Sequence, residues 1–382
     1  MIATINKTVS FSLIFLLFNC LSTYGGDLVK QSGVLTETLS GQSTFVVSGS
    51  SNINGKIKLY SRQGENIVIS YEKTARTSSN AESSRFLELI DFKLDVREDR
   101  AIFRILSPTQ APWEGSDYSV NIEILIELPE KMNIEGRAGY IGFEIDGPFQ
   151  GVDLKSTYSA LDIRRIYGPV RAITTFGDVT LEAIKGETRI ETENGKITAG
   201  DIIVPSGYAV FQATHSPIKL SGIQGPVEAY TSYSSIEARD IEASYEPVVL
   251  RTTYGAVNVV NVTGELICET SYAPITVSSS KINHGHSRIE TSHAPITIQF
   301  DTISDCELYI GNDFSDVDLT IPETISTKLI AGTGRGGRIH AKNVNLRPTL
   351  LELTRLEAII GDGESRIEVN VNGIGNINIS GR

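Results

Sequence analysis

The chain has 382 residues and a formal net charge of −12 at neutral pH, with 46 acidic side chains against 34 basic ones. This acidic balance argues against binding to nucleic acid or to an anionic membrane surface, because both require basic patches. The length allows two domains, or one solenoid whose core grows lengthwise.

Residues 1–25 have the layout of a signal peptide. Lys7 lies near the start, an apolar run extends from Phe11 to Phe18, and small residues follow through Ser22 and Gly25. The apolar run is too short to span a bilayer stably. We therefore predict an exported protein, in the periplasm, at the outer-membrane surface or outside the cell, with no transmembrane segment in the mature chain.

The three cysteines of the chain are expected to have two different roles. Cys20 stands where the cysteine of a lipobox would, so a lipid anchor at Cys20 is the alternative to a cleaved signal. Cys268 falls on an inward position of a strand, and Cys306 lies two coils further on. Both are expected to be buried free thiols that act as small apolar fillers.

Residues 27–132 form a predicted N-terminal β-region. Apolar and polar residues alternate there in runs such as Asn66–Tyr71 and Tyr118–Pro129, which is typical of strands with one solvated face. The segments Thr74–Ser84 and Pro108–Gly115 are predicted to be loops. A solenoid exposes unpaired strand edges at its ends, so this region is the candidate cap.

Residues 133–382 are dominated by a recurring three-residue corner, most regular over 151–300. Successive corners lie 18 or 21 residues apart. Their first residues are Tyr158, Phe176, Asn194, His215, Tyr233, Tyr254, Tyr272 and His293. Looser corners are expected at Phe314, Gly336 and Glu364.

The residues around each corner repeat with the period of two that places alternate side chains on one face of a strand. Residues six, four and two before the corner are predicted to point inward, and so are those three, five and eight after it. The position two before the corner is usually threonine, whose inward hydroxyl is expected to bond to the backbone of the turn.

A fixed period near 20 residues is the mark of a solenoid. We predict an all-β fold, a right-handed parallel β-helix of about 12 coils, with its handedness taken from the preference of parallel crossovers. The alternative is an antiparallel meander in which Asn194-Gly195 and its equivalents are hairpin turns, since Asn-Gly is a strong hairpin signal.

Several runs carry a family resemblance. They are Thr188-Arg-Ile-Glu-Thr-Glu-Asn-Gly-Lys-Ile-Thr198, Thr174-Thr-Phe-Gly-Asp-Val-Thr180 and Thr252-Thr-Tyr-Gly-Ala-Val-Asn258. With the strand ending at Leu128-Pro129, they resemble the bacterial putative-adhesin domain family over roughly Asn121–Ser380. The resemblance implies an exported single-chain β-helix, similar to the head domains assigned to autotransporter adhesins. That family is a domain of unknown function and supplies no catalytic residues to carry over.

The expected function is that of a non-catalytic binding or structural module. Charges of both signs alternate along the outward strand positions, and no pair of acids recurs as glycoside cleavage would require. No catalytic residue, metal site or cofactor is predicted, and His284-Gly-His286 is expected to be a surface loop. The alternative is a carbohydrate-active enzyme, a polysaccharide lyase or glycosidase, on a similar scaffold.

The aromatic corner residues allow two interpretations. Rings that repeat at one corner can stack and stabilise neighbouring strands. If they are exposed, they form a ribbon that could contact a surface ligand, either a glycan or a protein. The candidate ligand-contact residues are Tyr158, Phe176, Tyr233, Tyr254 and Tyr272.

Overall fold

A computed structural model describes residues 28–114 and 117–382, and it is almost entirely β-structure. The predicted signal at residues 1–25, and Cys20 with it, lies outside the described residues. The chain divides between Pro148 and Phe149 into two compact units. None of the helices in the described residues is long and apolar enough to cross a membrane.

The described residues of the first unit form nine strands and a short helix. In chain order they are β1 (Val29–Thr38), β2 (Thr44–Ser48), β3 (Asn54–Arg62), β4 (Asn66–Arg76), α1 (Asn80–Glu88), β5 (Asp91–Val96), β6 (Arg100–Leu106), β7 (Ser119–Pro129), β8 (Asn133–Arg137) and β9 (Ile141–Phe149). Strands β1, β4 and β7 pair antiparallel, while β3 is parallel to β7 and β9. In a second sheet, β2 lies parallel to β6 and β8.

Helix α1 corrects the loop predicted over Thr74–Ser84. Strand β4 continues to Arg76, and the helix begins at Asn80 after the N-cap Ser79, whose side chain accepts a hydrogen bond from the backbone N–H of Glu82. Buried Phe86 anchors its inner face. The Ser- and Asn-rich composition that predicted a loop also suits a helix start, because these residues cap the exposed N–H groups.

The second unit contains the remaining strands. They are β10 (Gly151–Lys155), β11 (Leu161–Ile166), β12 (Val170–Thr174), β13 (Val179–Lys185), β14 (Thr188–Thr192), β15 (Ile197–Ile203), β16 (Ala209–Ala213), β17 (Ile218–Gln224), β18 (Val227–Tyr230), β19 (Ile236–Glu242), β20 (Val248–Arg251), β21 (Val257–Thr263), β22 (Leu266–Glu269), β23 (Ile275–Ile282), β24 (His286–Thr291), β25 (Ile296–Ile303), β26 (Glu307–Asn312), β27 (Val317–Ile321), β28 (Thr327–Thr333), β29 (Ile339–Lys342), β30 (Arg347–Leu351), β31 (Arg355–Ile360), β32 (Ser365–Val371) and β33 (Ile377–Gly381).

Strands of the second unit alternate between two parallel sheets. From β10 to β26 each even-numbered strand pairs in parallel with the next even-numbered one, and β11 to β27 do the same. An even strand, its corner and the following odd strand are called a coil below. This pairing rules out the antiparallel meander, because a hairpin at Asn194-Gly195 would pair β14 with β15.

The predicted inward positions are buried. The strand register places equivalent residues of successive coils opposite each other. Val179 pairs with Ile197, and Ile197 pairs with Ile218. The two cysteines are buried and free, as expected, and burial raises the pKa of the Cys306 thiol to about 11. Closely packed apolar side chains therefore fill the space between the two sheets.

The inward residue eight after each corner breaks the period of two, and the backbone explains why. The residue just before it adopts a left-handed conformation in seven coils, with φ between 51° and 63°. These residues are Arg165, Ala183, Asp201, Gly222, Asp240, Asn261 and Ser279. This single residue reverses the alternation, so the next side chain returns to the interior.

The corner threonines behave as predicted, with their hydroxyls bonded to the turn backbone. The N–H of Gly177 donates to Thr174 Oγ1 at 3.2 Å, and the N–H of Gly195 donates to Thr192 Oγ1 at 3.0 Å. The hydroxyl of Thr291 instead donates to the carbonyl of Ala273, in the coil before, at 3.1 Å. In these corners the buried threonine hydroxyl thus satisfies backbone groups of the turn.

The last coils do not follow chain order, which corrects one predicted corner. Strand β32 lies between β26 and β28, and β33 lies between β27 and β29. Glu364 precedes β32, so it is not at a corner, and the turn from β32 to β33 contains Gly373. The apolar alternation after Glu364 belongs to the even-numbered sheet, which local pattern alone does not distinguish.

Candidate ligand-binding surface

A ladder of stacked aromatic rings follows the corners of the second unit. Six consecutive rings lie 4.9–5.3 Å apart between centroids: His215, Tyr233, Tyr254, Tyr272, His293 and Phe314. Tyr158 and Phe176 form a second group at 5.0 Å. These distances match the spacing of neighbouring strands, about 4.8 Å, so parallel pairing sets the step of the aromatic ladder.

Main-chain hydrogen bonds fix each ring above the next. The N–H of Tyr254 donates to the carbonyl of Ser232 at 3.0 Å, and that of Tyr272 donates to Thr253 at 3.1 Å. A Cβ on Gly255 would lie only 1.7 Å from the carbonyl oxygen of Ser234. The corners therefore stack in close backbone contact, and the rings have little freedom to slide.

The five predicted ligand-contact residues all belong to the aromatic ladder and are about half exposed. Their exposed fractions are 49% for Tyr158, 49% for Phe176, 57% for Tyr233, 52% for Tyr254 and 52% for Tyr272. The ring faces lie against one another, within 1–7° of parallel from Tyr158 to Phe176 and from His215 to Tyr272. Solvent therefore meets mainly ring edges and phenolic hydroxyls. Packing and exposure coexist, and ligand contact by these rings stays a prediction.

A polar groove of about 620 Å³ runs alongside the ladder over the coils from β16 to β26. Its lining includes a row of half-buried hydroxyl residues, each of which directly precedes a ladder ring in the chain. They are Thr214, Ser232, Thr253, Ser271 and Ser292. Within the described residues, none of these side chains hydrogen bonds to another protein group. The groove therefore offers a line of hydroxyl donors and acceptors that no protein group uses.

Most charged residues of the groove form ion pairs, whereas the carboxylate of Asp313 accepts a hydrogen bond from Asn372 Nδ2 at 2.9 Å. Arg251 contacts Glu269 at 2.8 Å, and this hydrogen bond raises the pKa of the arginine. Arg288, beside the groove, pairs with Glu290 and lies over the ring of Tyr309, 5.4 Å from its centroid. With Asp313, acidic side chains outnumber basic ones at the groove, which disfavours an anion, and the hydroxyl row suits a neutral, hydroxyl-rich ligand.

The hydroxyl row is a feature that the sequence analysis missed. Its signal was available, because serine or threonine stands immediately before most corners from Thr157 to Ser292.

Two histidines belong to the aromatic ladder, and two lie near the start of β24. His215 and His293 are members of the ladder. His284 contacts Asn283 at 2.8 Å, and His286 lies 3.3 Å from Glu307. In the described parts of the chain, no three His, Cys, Asp or Glu side chains are grouped so that they could hold a metal ion.

Of three comparisons with known proteins, only the one with solved structures finds similar proteins. No protein-family model matches the chain, and no curated protein matches it either. Among solved structures, a putative cell adhesion protein from Clostridium sporogenes is similar with 12% identity, covering 92% of this chain and 100% of that one at a TM-score of 0.20. A putative adhesin from Bacteroides fragilis has 7% identity, covering 92% and 97% at 0.20.

A third structure, a putative lipid binding protein from Parabacteroides distasonis, has 7% identity and covers 90% of this chain and 96% of that one at a TM-score of 0.21. Bacterial structures described as adhesins are thus among those similar to the chain, as the family resemblance implies. At TM-scores near 0.2, these likenesses add nothing to the fold described above.

Proposed function

We propose that the chain is an exported, non-catalytic, adhesin-like module that binds a neutral glycan in the polar groove beside the aromatic ladder. It acts in the periplasm, at the outer-membrane surface or outside the cell. The observation that carries the proposal is the row of five half-buried hydroxyls without protein partners, at the spacing of the coils. Sugar hydroxyls both donate and accept, so they complement such a row.

The fold proposed for this module is a right-handed parallel β-helix. Parallel pairing of every second strand supports a helical winding, and crossovers between parallel strands are right-handed in nearly all proteins. Export is supported by the layout of residues 1–25.

The exposed ring edges of the aromatic ladder also support glycan binding. Tyr233, Tyr254 and Tyr272 carry phenolic hydroxyls that have no hydrogen-bond partner among the described residues. These hydroxyls repeat at the 5.0–5.3 Å step of the rings. A ligand that lies in the groove can therefore meet a second polar row along one side.

Catalysis is the competing assignment, and the carboxylates of the groove argue against it. A glycosidase needs one carboxyl group held protonated as the general acid. Glu269 and Glu290 are instead held in ion pairs by Arg251 and Arg288, so neither carboxyl group is free to approach a glycosidic oxygen. The proposed module therefore binds its glycan without cleaving it.

The test is a glycan array with the mature chain, together with a release assay on the same polysaccharides. We expect saturable binding without release, and weaker binding by Tyr233→Ala and Tyr254→Ala variants that still fold. Tyr245→Ala is the matched control, because Tyr245 is 93% exposed and lies outside the ladder. Release of fragments would favour a lyase or glycosidase, and no binding to any glycan would overturn the proposal.

A further inference from the structure

One coil of the aromatic ladder has no ring. Asn194 occupies the corner position between Phe176 and His215, and the register is continuous on both sides, with Thr174 paired to Thr192 and Thr192 to Ala213. The corner N–H bonds also continue, from Asn194 to Thr175 at 2.8 Å and from His215 to Glu193 at 2.9 Å. The backbone therefore keeps its step, and only the side chain differs.

The asparagine at this corner leaves a gap in the ladder, which we call the notch and define by Phe176, Asn194 and His215. The two rings lie two coils apart, so their centroids are separated by roughly twice the strand spacing, about 10 Å. The asparagine side chain is shorter than an aromatic one and ends near the base of this gap. Each ring therefore has one face that no ladder ring covers, and the space between the faces fits one further ring.

The groups around the notch indicate what kind of ring fits. Asn194 is exposed, and its amide hydrogen bonds to no other side chain or backbone group in the described residues. Glu193 directly precedes Asn194 in the chain and Gln212 lies in β16 of the next coil, and both side chains are exposed. A carboxylate at this place disfavours an anion, whereas amide and carboxylate groups suit the hydroxyls of a neutral sugar.

We infer that the notch holds one pyranose ring of the bound glycan, sandwiched between the faces of Phe176 and His215 and hydrogen bonded to the amide of Asn194. The inference rests on the proposed function and assigns it a specific subsite. The groove lining begins at Gln212 and Thr214, next to His215. A glycan chain that lies along the groove therefore reaches the notch at one end.

The deciding variant is Asn194→Tyr, which restores a ring at the missing step. The change is compatible with the corner, because Phe176-Gly177 and Tyr254-Gly255 already combine a ring with the same glycine turn. For the glycan selected on the array, we expect the affinity of Asn194→Tyr to fall about tenfold or more. Asn194→Ala keeps the space open, so its affinity should fall only about threefold.

Two further measurements keep the inference open to contradiction. Phe176→Leu, which removes a ring face, should weaken binding about tenfold even if Asn194→Tyr does not fold. In the wild type, the ring proton resonances of His215 should shift as glycan is added. Wild-type affinity in folded Asn194→Tyr or in Phe176→Leu would overturn the inference, and so would unchanged His215 resonances at saturation.

The outcomes separate the subsite from the proposed function. A wild-type protein that binds glycan, is weakened by Tyr254→Ala and is unaffected by Asn194→Tyr would overturn the notch alone. A wild-type protein that binds no glycan would overturn both. Tyr245→Ala should keep full affinity throughout.

Discussion

At the scale of single residues, the corners come in two chemical forms. In one form a glycine follows the corner residue, and its N–H donates to the preceding threonine, as in Gly177, Gly195 and Gly255. In the other form alanine or serine takes the place of glycine, and the threonine hydroxyl only donates to the previous coil, as Thr291 does to Ala273, whereas Thr252 in a glycine corner both accepts and donates. The same inward threonine therefore serves both forms.

We predict that Gly255→Ala destabilises the fold by about 1–3 kcal/mol. The new Cβ would lie 1.7 Å from the Ser234 carbonyl oxygen, so the stacked backbones must move apart. Denaturant unfolding measures the effect. Ala273→Gly, at the equivalent position of the next coil, is the control and should cost about 0.5–1 kcal/mol. Equal costs for the two variants would contradict this account of the corner.

The inward threonine leads to a second prediction. Thr252→Val should lower the free energy of unfolding by about 1–3 kcal/mol, because it removes the acceptor for Gly255 N–H and the donor to Ser234. Thr276→Val makes the same chemical change on an exposed position of β23, where the expected effect is within about 0.5 kcal/mol. Thermal or denaturant unfolding of both proteins gives the comparison, and similar losses would refute the prediction.

Asn194 provides a prediction about stability that is independent of any ligand. Asn194→Tyr would join the two groups of rings into one ladder and add two ring contacts. Each contact contributes about 0.5–1.5 kcal/mol, so the variant should be more stable than the wild type by about 1–3 kcal/mol. An unfolding midpoint at or below that of the wild type would show that the notch is not shaped for a ring.

At the scale of elements, the aromatic ladder should stabilise the coils that it joins. Tyr254 stacks on Tyr233 at 5.3 Å and on Tyr272 at 5.0 Å. Tyr254→Leu should therefore cost about 1–3 kcal/mol in denaturant unfolding. Tyr245→Leu removes a tyrosine that is 93% exposed and should cost at most about 0.5 kcal/mol. If the ladder served ligand contact alone, Tyr254→Leu would lower the free energy of unfolding as little as Tyr245→Leu.

The strands were predictable from the sequence because their inward positions repeat strictly. The residues three and five after each corner, from Leu161 to Ile298, are all buried. Helix α1 was not predictable in this way, since its nine residues carry little apolar periodicity and begin in a Ser- and Asn-rich segment. What fixes the helix is tertiary packing of Phe86 and Leu87, which local composition does not record.

At the scale of the whole chain, the sequence predicted which segments form coils but not the order in which the last coils stack. The alternation of apolar and polar residues in the strands near the C-terminus is compatible with more than one order of strand pairing. Pairing of β26 with β32, rather than with β28, depends on contacts between segments about 60 residues apart. The candidate site was predicted in part, since the aromatic ladder follows from the repeat whereas the groove depends on how outward side chains converge.

One titration tests most directly whether the polar groove is the binding surface. Calorimetry would compare the wild-type chain over residues 27–382 with the double variant Thr253→Val/Ser271→Ala, using the glycan selected on the array. Loss of two hydroxyls from the groove should weaken binding about tenfold or more, whereas Thr276→Val should bind like the wild type. Unchanged affinity in the folded double variant would contradict the assignment of the groove as the glycan site.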